Sequence, residues 1–260
     1  MNFVFQESCH ASAQTDSGTR PGGRHVRKIT LAVMLAAALF VAVTGDAVAE
    51  HPPQPQTKES RDALTPDAAL ELLRAGNARF ASGAPLQRDE LQEVRLTSGG
   101  QFPYAAILGC IDSRVAPEVV FDTGIGDVFA ARVAGNVLDD ELLGSLEFAT
   151  SVAGAKAIVV LGHTQCGAVK GACDGVKLGH LTQTLSHLEP AVAAAKAQVP
   201  PPHDARNATF VGRVTELNAE VTARAMTERS PILRALVEQG KLKIVPAVYD
   251  VSSGRVTFLG

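Results

Sequence analysis

The chain has 260 residues, with 24 basic and 27 acidic side chains and a formal charge of −3 when histidines are neutral. No basic run lies outside its first thirty residues, so the electrostatic footprint of a nucleic-acid binder is missing. With no Trp and 5% aromatic residues, a stacking platform for bases or sugars is disfavoured as well.

The chain opens on a targeting pattern. A basic cluster, Arg24 to Lys28, precedes seventeen uncharged residues, Ile29 to Gly45, and Ala47-Val48-Ala49 then gives the small-x-small order of a signal-peptidase site. We expect a signal peptide over 1–49 and a periplasmic or secreted mature chain. The alternative is a membrane anchor at 29–45, which is slightly short for a span, so membrane contact arises only through an uncleaved leader. Removing the leader leaves 20 basic and 24 acidic residues, a formal −4. Residues 50–63, starting HPPQPQ, read as a disordered linker, and 64–260 as one domain large enough for a proper core.

Within that domain, Thr65-Pro66 is a helix-start signal, and Leu70, Leu73 and Phe80 fall on one helical face. Tyr104 to Cys110, Asp127 to Asn136 and Lys156 to His163 are apolar runs of the near-continuous kind found in buried parallel strands. Helical patterns follow over Leu138–Gly154 and Leu181–Gln198, the second interrupted at Pro190. Two more start at Asn207 and at Ser230-Pro231. Lys241 to Asp250 is a fourth strand, in which Pro246 points to an edge or a bulge, and Arg255 to Gly260 a possible fifth. This alternation predicts an α/β domain whose mainly parallel central sheet of four to five strands is flanked by helices.

Ligands of such sheets bind beyond the carboxyl ends of the strands. Cys110 ends the first strand and His163 the third, with Cys166 three residues on, where Gly167 opens a helix. Two thiolates and an imidazole make a three-ligand zinc set that leaves the fourth position open, the usual catalytic arrangement. Leaving out Cys9 of the leader, three cysteines remain, an odd number that cannot pair off completely; Cys173 is expected to pack in a helix. Asp112 and Arg114, two apart in an extended turn, can pair either as a surface salt bridge or as a carboxylate held ready for a hydrogen bond. His180, His187 and His203 read as solvated surface histidines, and no dinucleotide loop, phosphate loop or C-x-x-C motif occurs.

CIDSRV followed by GHTQCGAV resembles the β-class carbonic anhydrases, whose pattern is C-x-D-x-R and a later H-x-x-C. GQFPYAAILGC, GDVFAARVAGN and the stretch from Ser230 to Leu259 carry the resemblance across Thr65 to Leu259. It implies one Zn2+ per chain on Cys110, His163 and Cys166, an Asp112–Arg114 dyad, and substrate contacts from Gln101, Phe129 and the Gly167 amide. The implied reaction is the reversible hydration of carbon dioxide to bicarbonate by hydroxide generated at zinc, with the active site at the interface of a homodimer or a multiple of dimers. Some β-class enzymes also have a closed state, here with Asp112 on the metal, and a bicarbonate site built on a Trp and an Arg. Those positions are Ile107 and Arg132 here, so that site is incomplete. Three alternatives stay open: a carbonyl sulfide or carbon disulfide hydrolase on the same fold, a non-catalytic zinc or bicarbonate-binding protein, and a cysteine hydrolase using Cys110 and His163.

Overall fold

The computed structural model describes residues 54–259. The expected leader, its apolar stretch 29–45 and the cleavage position after Ala49 lie outside the described residues. Among the described residues no helix is long and apolar enough to cross a membrane.

The linker expected over 50–63 is helical at its end. Helix α1 (Lys58–Ala63) starts on a reciprocal cap in which Thr57 Oγ1 accepts from the Ser60 amide and Ser60 Oγ accepts from the Thr57 amide, at 3.2 and 2.9 Å. Arg61 is buried and donates to the Ala153 carbonyl. A cap and one arginine hold this helix, so apolar periodicity gave no sign of it. Helix α2 (Pro66–Ala81) begins as expected, Thr65 Oγ1 accepting from the Ala68 amide, and Leu70 and Leu73 are buried. Helix α3 (Glu90–Thr97) follows; its exposed Leu91, Val94 and Leu96 explain why no amphipathic pattern announced it.

The central sheet runs β1 (Ala105–Gly109), β2 (Val128–Arg132), β3 (Ala157–His163), β4 (Lys243–Tyr249) and β5 (Val256–Phe258), in spatial order β2-β1-β3-β4-β5. The first four are parallel and β5 is antiparallel to β4. Helix α4 (Pro117–Val120) links β1 to β2, and α5 (Asp140–Glu147) continues into a π-helical turn at Phe148–Val152 before β3. Helices α6 (Gly167–Cys173), α7 (Leu181–Ser186), α8 (Glu189–Lys196), α9 (Ala208–Arg229) and α10 (Pro231–Glu238) then lead to β4. Pro190 falls in the first turn of α8, where its missing amide costs nothing.

Pro246 is not on an edge strand, because β4 lies between β3 and β5. Its carbonyl accepts from the Leu259 amide at 2.8 Å. The amide and carbonyl of one strand residue point to the same side, so the missing donor faces the flank where short β5 ends and the β3 ladder is spared.

Alternate residues of the central strands face opposite layers. Ile107, Val159 and Leu161 pack with Leu70, Leu73 and Phe121. Ala106, Leu108, Ile158 and Val160 pack with Leu143, Leu146, Ala223 and Met226. A third cluster, with Val169, Leu188, Phe210 and Val214, encloses the carboxyl end of the sheet and holds Cys110 and Cys166.

Candidate metal centre

β1 and β3 are adjacent and in register, Gly109 opposite Leu161, so Cys110 and His163 leave the sheet side by side. The turn after His163 places Cys166 at the N-cap of α6. That turn takes Gln165 into the left-handed region, at φ 59°. Thr164 ties it to β4: its amide donates to the Tyr249 carbonyl, and its hydroxyl donates to Asp250 Oδ1 at 3.2 Å.

The ligand atoms of Cys110, His163 and Cys166 lie within 4.8 Å of one another, and all three residues are buried. The two sulfurs are 4.0 Å apart. Tetrahedral zinc with Zn–S bonds of about 2.3 Å needs roughly 3.8 Å between two thiolates, so the pair is already spaced for it. His163 Nδ1 lies 2.9 Å from the Thr164 carbonyl, which can only accept, so Nδ1 carries the proton. Nε2 is then a bare lone pair, fully buried and without a hydrogen-bond partner. A buried polar atom without a partner is costly, and a metal between it and the two sulfurs removes that cost.

The thiols are matched to a cation. The hydrogen bond from Cys166 first, and then the neighbouring His163 ring, hold the Cys110 thiol far below the ordinary range against burial, with the Gly135 and Asp112 amides adding to the effect. Cys166 is pushed up by that same shared bond, by burial and by the charge on Cys110. Without a metal the pair favours one thiolate; a divalent ion lets both ionise.

Asp112 closes on Arg114. Its Oδ1 accepts from the Arg114 amide at 3.0 Å and from Nε at 2.9 Å, and its Oδ2 accepts from Nη2 at 2.8 Å. Those bonds, Arg114's side chain first, hold the carboxyl well below the usual range despite partial burial. Oδ2 also lies 3.9 Å from His163 Nε2. The carboxylate therefore borders the cluster while staying in the guanidinium's grip.

Of the other expected contacts, Gly167 follows Cys166 directly, with open space where a side chain would project. Gln101 and Phe129 are not brought to the cluster of their own chain. Gln101 precedes β1, whose two ends are about 13 Å apart, and borders a depression with Ser98, Ile125 and Gly126. Phe129 pairs with Ala106, three residues short of Arg132 at the site end of β2, and meets Phe148 edge-on at 6.3 Å. His203 is half-buried rather than solvated: Nε2 contacts the Val199 carbonyl and the ring packs on Phe210.

Sequence reasoning missed two supports. The Gly135 amide donates to Cys110 Sγ at 3.3 Å, and Asn218 Nδ2 on α9 donates to the Gly135 carbonyl at 2.9 Å. Gly135 has φ 76°, and a Cβ there would meet Ala168 and Leu188 at 3.2 Å. A polar Asn on the apolar stripe of α9 was the available signal. Of the pair considered for a bicarbonate site, Ile107 is wholly buried, and Arg132 donates to the Cys110 and Asp112 carbonyls.

A family model described as "Carbonic anhydrase" matches residues 105–256. "Carbonic anhydrase 2" of Mycobacterium tuberculosis is 34% identical over 196 residues, covering 73% of this chain and 91% of the relative. The carbonic anhydrase of Mycolicibacterium smegmatis is 36% identical over 200 residues, covering 74% and 92%. Among solved structures, one from a study of two tetrameric β-carbonic anhydrases of Sordaria macrospora aligns with a TM-score of 0.59 at 26% identity, covering 75% of this chain and 98% of that one.

Proposed function

The chain belongs to the β-carbonic anhydrase family, and from that premise we propose that it hydrates carbon dioxide reversibly at Cys110, His163 and Cys166, with Asp112 and Arg114 beside them. The observation that carries this reading is the buried, unpartnered His163 Nε2, set between two thiols and 3.9 Å from an arginine-held carboxylate. A purely structural metal site has no need of that carboxylate.

Cys110, His163 and Cys166 would hold zinc, which would supply Lewis acidity that makes hydroxide available near neutral pH. The chain's own groups do the rest. Thr164 fixes the tautomer that leaves the His163 Nε2 lone pair free to bind a metal. Arg114 keeps Asp112 ionised and therefore acceptor-only, so Asp112 takes an O–H hydrogen bond and turns the nucleophile's lone pair towards the substrate carbon. The amide of Gly167, a residue with open space where a side chain would project, donates to a substrate oxygen.

Gln101 and Phe129 line the substrate cleft in a homodimer, each reaching the partner's metal centre, since neither reaches its own. Exposed Ile111, Val119, Phe148 and Val152 offer apolar surface for that association. On the leader pattern, the mature chain works outside the cytoplasm.

Stopped-flow carbon dioxide hydration across pH 6.5 to 9, with zinc content measured on the same sample, tests the reading. Rapid hydration at one zinc per chain is expected. Full zinc without hydration would refute it, and the same sample assayed with carbonyl sulfide and carbon disulfide would show whether the reaction is theirs. Turnover by a zinc-free chain would instead revive Cys110 as a nucleophile.

A further inference from the structure

Asp112 and Arg114 are paired within one short turn, whose Asp112 carbonyl also accepts from the amide of buried Val115 at 3.0 Å. Their three mutual hydrogen bonds all run within residues 112–114, so they fix the carboxylate relative to its own turn and not relative to the metal cluster. Between Cys110 and Asp112 stands Ile111, exposed at 61% and unable to anchor the segment by packing. The turn has left the sheet, since β1 ends at Gly109.

Arg132, the last residue of β2, reaches across from the neighbouring strand. Its Nε donates to the Cys110 carbonyl at 2.8 Å and its Nη2 to the Asp112 carbonyl at 2.7 Å. One carbonyl belongs to a metal ligand and the other to the catalytic carboxylate. A guanidinium is a rigid planar fork, so its two donors fix both carbonyls at once, which a lysine's single ammonium cannot do. Arg114 orients the carboxylate within its turn; Arg132 ties that turn to the sheet.

We propose that Arg132 is a positioning residue that sets the place of the Asp112 carboxylate relative to the Cys110–His163–Cys166 cluster. The proposal rests on the hydration reading for its kinetic consequences. Its structural content, that Arg132 anchors the backbone of Cys110 and Asp112, does not.

The test is a double-mutant cycle on the zinc-loaded full chain. Arg132→Met should keep about one zinc per chain while lowering kcat/KM for carbon dioxide by roughly 10- to 100-fold, the range expected when a reacting group is displaced by about an ångström. Arg132→Lys, which can restore one of the two contacts, should fall between. In an Asp112→Asn background the same Arg132→Met change should cost less than about threefold, because the group it places is already disabled. Equal losses in both backgrounds, or no loss in either, would overturn the proposal. Should Arg132→Met fail to fold, Arg132→Lys carries the same cycle.

A second readout separates this proposal from the function itself. In cobalt-substituted protein, the sulfur-to-metal charge-transfer absorption should shift in Arg132→Met, because the Cys110 backbone has lost its tie to β2. An unshifted spectrum would count against Arg132 even if activity fell. If the parent chain hydrated no carbon dioxide, the hydration reading would fail while the cobalt comparison still decided the anchoring role.

Discussion

Oδ2 of Asp112 stands 3.9 Å from Nε2 of His163, yet both oxygens of that carboxylate are occupied by Arg114. The imidazole nitrogen is bare and buried, and the ionised carboxylate, which can only accept, leaves it without a partner. The groups proposed for metal binding and for carboxylate chemistry are thus separate, and separate substitutions should dissociate them.

Cys110→Ser, His163→Ala and Cys166→Ser should each abolish stoichiometric zinc binding, and with it activity. Metal analysis after gel filtration checks this. One zinc per chain with normal turnover in any of the three would refute that residue as a ligand.

Asp112→Asn should retain zinc and lose at least about 100-fold in kcat, since an uncharged amide cannot serve as an acceptor-only group. Full turnover with full zinc would remove the orienting role. Arg114→Ala should have a smaller effect of the same kind, because the carboxylate stays but loses its orientation.

Asn218→Leu deprives the Gly135 carbonyl of its side-chain donor deep in the protein. A lost buried hydrogen bond typically costs about 1–3 kcal/mol, and loosening the amide that faces Cys110 Sγ should weaken zinc binding by about tenfold. Thermal melts and chelator competition measure the two effects independently. A fall in melting temperature with unchanged zinc affinity would leave Asn218 a packing residue only.

Asp127 gives a pH signature away from the site. Burial pushes its carboxyl above the ordinary 3.8, against the Gly124 amide that favours the charged form. A carboxyl raised on folding binds more protons in the folded state than in the unfolded one, so its contribution to stability falls as pH rises from the unfolded to the folded pKa. Asp127→Asn, which can still accept from the Gly124 amide but never ionises, should gain on the parent as pH climbs from 4 to 7. A difference in melting temperature that stayed constant over that range would show that Asp127 does not titrate in this way.

Elements with strong patterns were legible in the sequence. Four apolar runs became β1 to β4, and the Thr65-Pro66 and Ser230-Pro231 caps opened α2 and α10. Helices α1 and α3 were not legible: one stands on a capping box and a buried arginine, and the other shows its leucines to solvent. Pro246 read as an edge or bulge residue because a strand's missing donor is visible in sequence, whereas the side it faces is not.

The site divides along the same line. C-x-D-x-R and H-x-x-C at two strand ends picked out the three side chains that cluster and the Asp112–Arg114 pair, because bond chemistry and short-range spacing are written in local sequence. What only the tertiary structure decided was how distant groups converge: Arg132 on two carbonyls about twenty residues away, Asn218 on Gly135 and through it on Cys110, and Thr164 and Asp250 steadying the His163 turn. It also kept Gln101 and Phe129 away from their own chain's cluster. Hydrogen bonds between remote residues depend on where strands pair and helices pack, and that geometry exists only once the core has closed.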